Sequence, residues 1–345
     1  MTLSERRAAI LRLIISDYVQ TAQPVGSEAL VQRHSLELSS ATIRNEMARL
    51  EEEGYITHPH TSAGRVPSDR GYRYYIEALM GEPELPPEER LRILHQFHQA
   101  TSEVAEWLQL AASVLAQSVR NVAVVTAPRG NQARLKHLEL VSLQDFSALL
   151  VLVTQDIKVR QQVITFLEPV NQEDLARLSN RINHLWSGLD AEQIAARLGE
   201  LPPRDEPAGR AVRDILAEEE HATYSDARVE GLRNVLEQPE FSRSTRALEI
   251  MEALDDHNLS EAIPFDSTPD DGVTVIIGAE NRRDAMRECS VIIAAYGGAQ
   301  GAKGSLVVLG PTRMHYPRAI ATVRYMGGVM SELLKRLYGH HEEQP

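Results

Sequence analysis

The stretch Ser39-Ser40-Ala41-Thr42-Ile43-Arg44-Asn45-Glu46-Met47-Ala48-Arg49-Leu50 decides how this chain is read. Two serines able to cap a helix stand before a run with apolar residues at helical spacing. At about 100° per residue, Ile43, Met47 and Leu50 fall on one face, as a packed helix requires. Ala41, Asn45, Ala48 and Glu52 point away from that face, flanked by Arg44 and Arg49. The outward side therefore offers hydroxyls (Ser39, Ser40, Thr42), arginines, an asparagine and a small alanine. Arginine binds guanine bidentately, asparagine binds adenine, and alanine touches a thymine methyl, so these types suit a DNA major groove. Ser39 and Ser40 at the helix start suit a phosphate on the free amides there. Taken alone, the helix is also compatible with an ordinary amphipathic surface helix.

Its neighbours favour the first reading. Upstream, Thr2 and Glu5 form a capping box for a helix carrying Leu11, Ile14, Ile15, Tyr18 and Val19. Gln23-Pro24-Val25-Gly26 breaks it, and Ser27 caps a short helix from Glu28 to about Arg33. A tight turn, His34 to Leu38, leads into the third helix, which runs to about Glu53: a helix-turn-helix. Downstream, Tyr55–His58 and Arg65–Val66 read as short strands around Pro59-His60-Thr61-Ser62-Ala63-Gly64, a hairpin wing. His60, Thr61, Ser62 and Arg65 make its face small and polar, with one arginine to reach a phosphate or a minor groove. Ser68 caps a fourth helix ending at Gly81, and Glu82-Pro83-Glu84-Leu85-Pro86-Pro87 reads as a stiff linker.

Charge locates the nucleic-acid module rather than announcing it. The 345 residues hold 36 basic and 49 acidic side chains, a net −13, which at face value argues against nucleic acid. Residues 1–80 hold nine Arg, no Lys and ten acids, a net of −1, so the remainder carries −12. Binding then depends on where the arginines stand, not on bulk charge. A single cysteine excludes an intramolecular disulfide and a multi-thiolate zinc site. No apolar run approaches the roughly 18–20 residues of a membrane span. Arg12 and Asp17 interrupt the apolar start, so a signal peptide is not expected and the chain reads as cytoplasmic.

Beyond the linker, one long connecting helix is expected from about Glu88 to Ser118. Strand-like runs follow at Val122–Thr126, Leu135–Leu143, Phe146–Val153 and Val159–Phe166. Helical patterns occupy Glu173–Leu185, Ala191–Leu198, Gly209–His221 and Arg243–Asp255, with Pro202-Pro203 as a break. Strands return at Gly272–Gly278, Ser290–Tyr296 and Ser305–Leu309, and a last helix covers Arg318–Leu337. Strands on both sides of a helical block point to one α+β domain interrupted by an insertion.

Other motifs carry less. His34, His58 and His60 lack the accompanying cysteines or acids of a metal site, so they read as polar surface. Gly297-Gly298-Ala299-Gln300-Gly301-Ala302-Lys303-Gly304-Ser305 has glycines and a lysine, but a strand follows where a phosphate loop needs a helix. It reads as a hairpin loop. Cys289 opens a strand and reads as packing. Asp255-Asp256 and Asp270-Asp271 lie beside turns. No nucleophile, base and orienting acid stand at recognisable spacing, so neither an enzyme nor a cofactor is expected.

The chain resembles a known family. Ser39-Ser40-Ala41-Thr42-Ile43-Arg44-Asn45-Glu46-Met47, Leu50-Glu51, Gly54-Tyr55, Pro59-His60-Thr61-Ser62-Ala63-Gly64-Arg65-Val66-Pro67 and Gly71-Tyr72-Arg73-Tyr74-Tyr75 closely resemble the heat-inducible transcription repressor HrcA family. Pro24-Val25-Gly26-Ser27 and Gly310-Pro311-Thr312-Arg313-Met314 agree, while residues 168–270 match more patchily. The resemblance implies a winged helix-turn-helix, a GAF-like domain and an inserted dimerisation domain. It also implies a homodimer on an inverted-repeat operator in double-stranded DNA, upstream of chaperone operons, and activation by a GroEL-type chaperonin.

The expected layout is then a DNA-binding domain over 1–80 and a linker and connecting helix over 81–118. The GAF-like domain occupies 119–167 and 227–338, the mainly helical inserted dimerisation domain 168–226, and a tail 339–345. The expected function is repression of heat-shock genes. Two alternatives stand beside it: a ligand-responsive winged-helix repressor of another regulon, and an enzyme domain with a DNA-binding appendage.

Overall fold

The computed structural model describes residues 3–59, 64–99, 103–128, 133–155, 158–221, 227–241, 246–254, 259–265, 272–297 and 302–339. The chain forms two compact units. Met1–Ala127, Ala227–Gly298 and Gly304–Pro345 make the first, and Pro128–Asp226 with Ala299–Lys303 the second. Helices and antiparallel strands occur in both, an α+β architecture.

The first unit begins with three helices, α1 (Glu5–Thr21), α2 (Ser27–His34) and α3 (Ser40–Glu52). Ser4, not Thr2, caps α1 by accepting from the Arg7 amide at 3.4 Å. Gly26, not Ser27, stands at the α2 cap position, so both starts differ slightly from the sequence expectation. Apolar periodicity fixes a helix better than it fixes its first residue. Leu11, Ile14, Leu30, Ile43, Met47 and Leu50 from all three helices are fully buried together. Strands β1 (Ile56–Thr57) and β2 (Val66–Pro67) form an antiparallel hairpin after α3. Ser68 caps α4 (Asp69–Tyr74), which continues as a π-helical turn, Tyr75–Leu79.

Residues 3–80 lie in the same compact unit as the later helices and strands and share its buried cluster. Tyr72, buried on α4, meets the ring of Tyr316 at 5.4 Å, continuing apolar contact past the linker. The expected connecting helix is two, α5 (Pro87–Gln99) and α6 (Val104–Val119). Glu103 is extended, and apolar spacing that persists through Phe97, Val104 and Leu108 hides the break.

In this unit β3 (Val122–Val125) lies in a five-stranded sheet. Unit 2 supplies β4 to β6 and α7 to α9, described below. Unit 1 resumes with β7 (Arg228–Glu230), α10 (Leu232–Leu236), α11 (Arg246–Ala253), α12 (Leu259–Ala262), β8 (Val273–Ile277), β9 (Cys289–Gly297), β10 (Lys303–Pro311) and α13 (Tyr316–Gly339). The sheet order is β7-β3-β10-β9-β8. Ile292, Ala294, Leu306 and Val308 share a core with Ala111 and Leu115 of α6 and Val323 and Met326 of α13. Val124, Val291, Ile293 and Val307 alternate with them and are buried too, which is why these strands read as unbroken apolar runs. Cys289 is fully buried at the start of β9. β7, α10 and α12 were not foreseen; each spans five residues or fewer, too few to display a period.

Unit 2 contains β4 (Leu135–Gln144), β5 (Ser147–Thr154) and β6 (Val159–Thr165) as an antiparallel meander, followed by α7 (Gln172–Trp186), α8 (Ala191–Ala195) and α9 (Glu206–His221). This corrects the expected boundary at 167/168. The three strands pair with one another and not with the five-stranded sheet, so the inserted unit is a sheet with helices, not mainly helical. Leu138, Leu140, Leu150, Leu152 and Ile164 on one face pack with Leu178, Ile182 and Trp186 of α7 and Val212 and Leu216 of α9. Asn183 accepts from the Leu138 amide at 2.7 Å and donates to its carbonyl at 2.9 Å, so α7 covers the edge strand β4.

The opposite sheet face is exposed and carries an apolar row beside His137, Glu139 and Gln161. Leu149 lies between its cross-strand partners Val141 and Val163, and Val153 opposite Val159. Val141, Val159 and Val163 are 41%, 53% and 59% exposed.

Candidate nucleic-acid interface

Helix α3 is positioned from beneath and from both ends. Ser39 accepts from the Thr42 amide at 3.1 Å, and the two hydroxyls meet at 2.9 Å, so both side chains are engaged in the cap. At the side, Glu46 receives Arg6 at 3.6 Å and Arg7 at 3.8 Å from α1. Arg7 also pairs with Glu53 just past the helix. With Ile43, Met47 and Leu50 wholly buried, the rotation of α3 about its axis is fixed.

That rotation leaves Ser39, Ala41, Arg44, Asn45 and Arg49 exposed and Ser40, Thr42 and Ala48 partly so. The residues expected on the outward face of this helix are thus brought together on one surface. His60, Thr61 and Ser62 lie outside the described residues.

Arg65 is held by α3. Its guanidinium bonds Glu51 Oε2 through Nε at 3.1 Å, and only 15% of its side chain is exposed. The second oxygen of Glu51 meets His58 Nδ1. Glu51 thus ties both sides of the hairpin to α3, and Arg65, expected to reach a phosphate or a minor groove, is engaged with Glu51 in this structure. Backbone bonds between Val25 and Arg65, at 2.8 and 2.9 Å, fasten the hairpin base to the segment before α2. A Cβ on Gly64 would lie 2.6 Å from the Val25 carbonyl, so only glycine allows this approach.

The arginines of residues 1–80 divide sharply. Arg6 and Arg7 serve Glu46, Arg12 donates to the Leu79 carbonyl at 2.7 Å, and Arg33 bonds Asp17 at 3.1 Å. Arg65 serves Glu51, Arg70 lies 4.7 Å over the Tyr55 ring, and Arg73 bonds Glu280. Among the described residues Arg44 and Arg49 alone of the nine make no ion pair, side-chain hydrogen bond or ring contact. They flank Asn45, giving the surface unspent cations beside an unspent amide.

His34 lies on Asp17 at 2.8 Å, and His58 on Glu51, so the histidines once weighed as metal ligands stand with different carboxylates. Among the described residues no group of three or more potential ligands converges. No described helix is long and apolar enough to cross a membrane. The side chains that organise the surface, Glu46 and Glu51, were not singled out from sequence. Their signal was an acid at each of two positions beside the buried stripe.

Comparison with known proteins bears on the whole length. The chain is 45% identical to the heat-inducible transcription repressor HrcA of Roseiflexus castenholzii (strain DSM 13941 / HLO8), over 98% of this chain and 96% of that one. It is 43% identical to the protein of the same name from Dehalococcoides mccartyi (strain ATCC BAA-2266 / KCTC 15142 / 195), over 98% and 97%. A crystal structure described only as a hypothetical protein at 2.2 Å resolution is 24% identical, with a TM-score of 0.57, over 97% of this chain and 98% of that one; it supports the fold alone. A family model for the HrcA protein C terminal domain matches residues 105–320. Near-complete coverage at such identity, together with that match, shows that the chain belongs to the HrcA family.

Proposed function

We propose that this chain represses heat-shock genes by binding an inverted-repeat operator as a dimer, with α3 in the major groove. On this reading residues 1–80 are a winged helix-turn-helix, and the five-stranded sheet with its helices is a GAF-like domain. The observation that carries the proposal is the division of arginines. Seven of nine are held internally, and the free pair, Arg44 and Arg49, brackets Asn45 on the exposed face of α3. Phosphate contacts from the arginines would set register, and the asparagine amide would read a base edge. The exposed Ser39 and Ala41 lie at the helix start where the groove would be entered. Ser40 and Thr42 lie beside them, and His60, Thr61 and Ser62 belong to the hairpin tip of the same proposed interface.

Dimerisation through unit 2 is supported by the open row Val141–Leu149–Val163, an apolar sheet face of the kind that a second copy would cover. A two-fold dimer matches an inverted repeat. Modulation by a GroEL-type chaperonin, and action in the cytoplasm, follow from the family resemblance.

Titration of the full chain against a labelled duplex carrying an inverted repeat from upstream of a chaperonin operon tests the proposal. Binding at least roughly a thousandfold tighter than to random DNA at the same salt is expected. Equal affinity for both duplexes would refute it.

A second reading, a repressor answering a small ligand, is favoured by one feature of unit 1. A groove of about 540 Å³ is lined by Leu94, Phe97, Trp107, Tyr325, Val329 and Leu333. A metabolite that both shifts Trp107 fluorescence and alters DNA affinity would favour it.

A further inference from the structure

The DNA-reading proposal leaves the Gly310-Pro311-Thr312-Arg313-Met314 segment without a role. Arg313 extends from this segment to the C-terminal end of α1. Its Nη1 donates to the Val19 carbonyl at 2.9 Å, across 294 positions of sequence. Nε bonds Glu240 Oε1 at 2.6 Å, and Nη2 bonds Glu240 Oε2 at 3.2 Å and Gln238 Oε1 at 2.7 Å. Every nitrogen of the guanidinium is engaged, and its side chain is only 12% exposed.

The end of α1 needs such a partner. The last carbonyls of a helix have no intrahelical donor, and the helix dipole favours a cation there. Tyr18 is satisfied by the Ala22 amide, but the last turn of α1 contains no basic residue of its own. The cation comes from the segment between β10 and α13.

The same domain is held at a second place. Asp69, at the start of α4, accepts from the Ala279 amide at 2.9 Å. Arg73 donates to the Val275 carbonyl at 2.7 Å and to Glu280 Oε1 at 3.0 Å. Gly278, at φ +52°, makes room: a Cβ there would stand 2.2 Å from the Asp69 carboxylate. Between the two places Tyr72 packs on Tyr316, and its buried hydroxyl has no hydrogen-bond partner among the described residues. The joint therefore combines these directional bonds with the buried Tyr72–Tyr316 contact.

None of these contacts uses the exposed face of α3, where Ala41, Arg44, Asn45 and Arg49 stay open. An inhibitory contact would cover that face, and this one leaves it clear. We propose that Arg313 is a positioning residue that docks the winged-helix domain on the sheet domain, presetting two heads of a dimer for an operator with two half-sites. The proposal rests on the operator-binding reading above. A rigid joint makes the second half-site contact intramolecular at high effective concentration, and a loose joint forfeits that gain.

The test uses the full chain with Arg313→Gln and Arg313→Lys, on duplexes bearing one half-site or the complete inverted repeat. Arg313→Gln should weaken the complete site by roughly tenfold or more while leaving the half-site within about twofold. Arg313→Lys, which keeps the charge but cannot span Glu240 and Val19 together, should fall between. Independently of DNA, hydrogen exchange in Arg313→Gln should quicken at the last turn of α1 and at residues 69–75. Ile43–Leu50 should keep their protection. Equal losses on both duplexes, or no loss on either, would overturn the proposal, as would unchanged exchange at both docking places. If the parent chain bound neither duplex, the operator reading would fail, and exchange alone would then decide the docking role.

Discussion

Arg65 rests on Glu51: the guanidinium at the base of the hairpin is bonded to a carboxylate on α3 at 3.1 Å. The arginine nearest the hairpin tip therefore sets the hairpin's position before it meets any phosphate. Two roles for Arg65 give opposite signs in one variant. If Arg65 positions the hairpin, Glu51→Gln weakens operator binding although it removes a negative charge. It should also lower stability by about 1 kcal/mol. Tighter binding by Glu51→Gln in a titration at fixed salt would instead mark Arg65 as a phosphate contact that Glu51 competes for.

Asn45 and Arg44 are adjacent and exposed, and the chemistry of their heads separates them. Asn45→Ala should cost about 1–3 kcal/mol on the operator and little on random DNA. Arg44→Ala should weaken both duplexes by similar factors. Affinities on both, after circular dichroism has shown each variant folded, check this. An equal effect of Asn45→Ala on both duplexes would contradict base reading by α3.

Salt dependence measures how many cations are available. With seven of nine arginines spent internally and the rest of the chain net −12, few phosphates are neutralised per subunit. Each contributes a slope of about −0.9 in log affinity against log salt. Arg44→Ala and Arg49→Ala should each flatten the slope by about one contact. A slope implying dozens of contacts would mean that the acidic units also touch DNA.

The open face of unit 2 predicts the oligomeric state. Leu149→Asp places a charge at the centre of the Val141–Leu149–Val163 row, where a covering copy would have to bury it. Sedimentation should show the parent as a dimer and the variant as a monomer, with the unit 2 fold retained because Leu149 points away from its core. A dimeric Leu149→Asp would place the dimer contact elsewhere.

Glu219 gives a pH-dependent prediction. Burial raises its carboxyl pKa, but hydrogen bonds from Arg160 and Lys158 outweigh burial and hold it below the usual carboxylate value. A depressed folded pKa stabilises at neutral pH and loses that contribution as pH falls below the ordinary carboxylate range. Glu219→Gln should cost unit 2 about 1–3 kcal/mol at pH 7. The gap to the parent should narrow as pH falls below the ordinary carboxylate range and through the depressed value of Glu219. Trp186, buried in the same core, reports the transition once Trp107 is replaced by Phe. A gap that stays constant with pH would contradict the assignment.

The third helix, its capping by Ser39 or Ser40 and its outward residues were legible in the sequence because they depend on local spacing. A helix buried on one side must place Ile43, Met47 and Leu50 together, and that places Asn45 outside. The strands other than β7 were legible for the same reason, as runs or alternations. What the sequence could not give was partnership. Leu135–Leu143 reads as a strand in any sheet, and only tertiary pairing put it with β5 in the inserted unit. Arg65 and Arg313 are alike as residue types. One is held by an acid 14 positions away and the other caps a helix 294 positions away. Local periodicity is set by backbone geometry within a few residues. The pairing of charges and strands is set by which surfaces the folded chain brings together, and tertiary structure alone decided that.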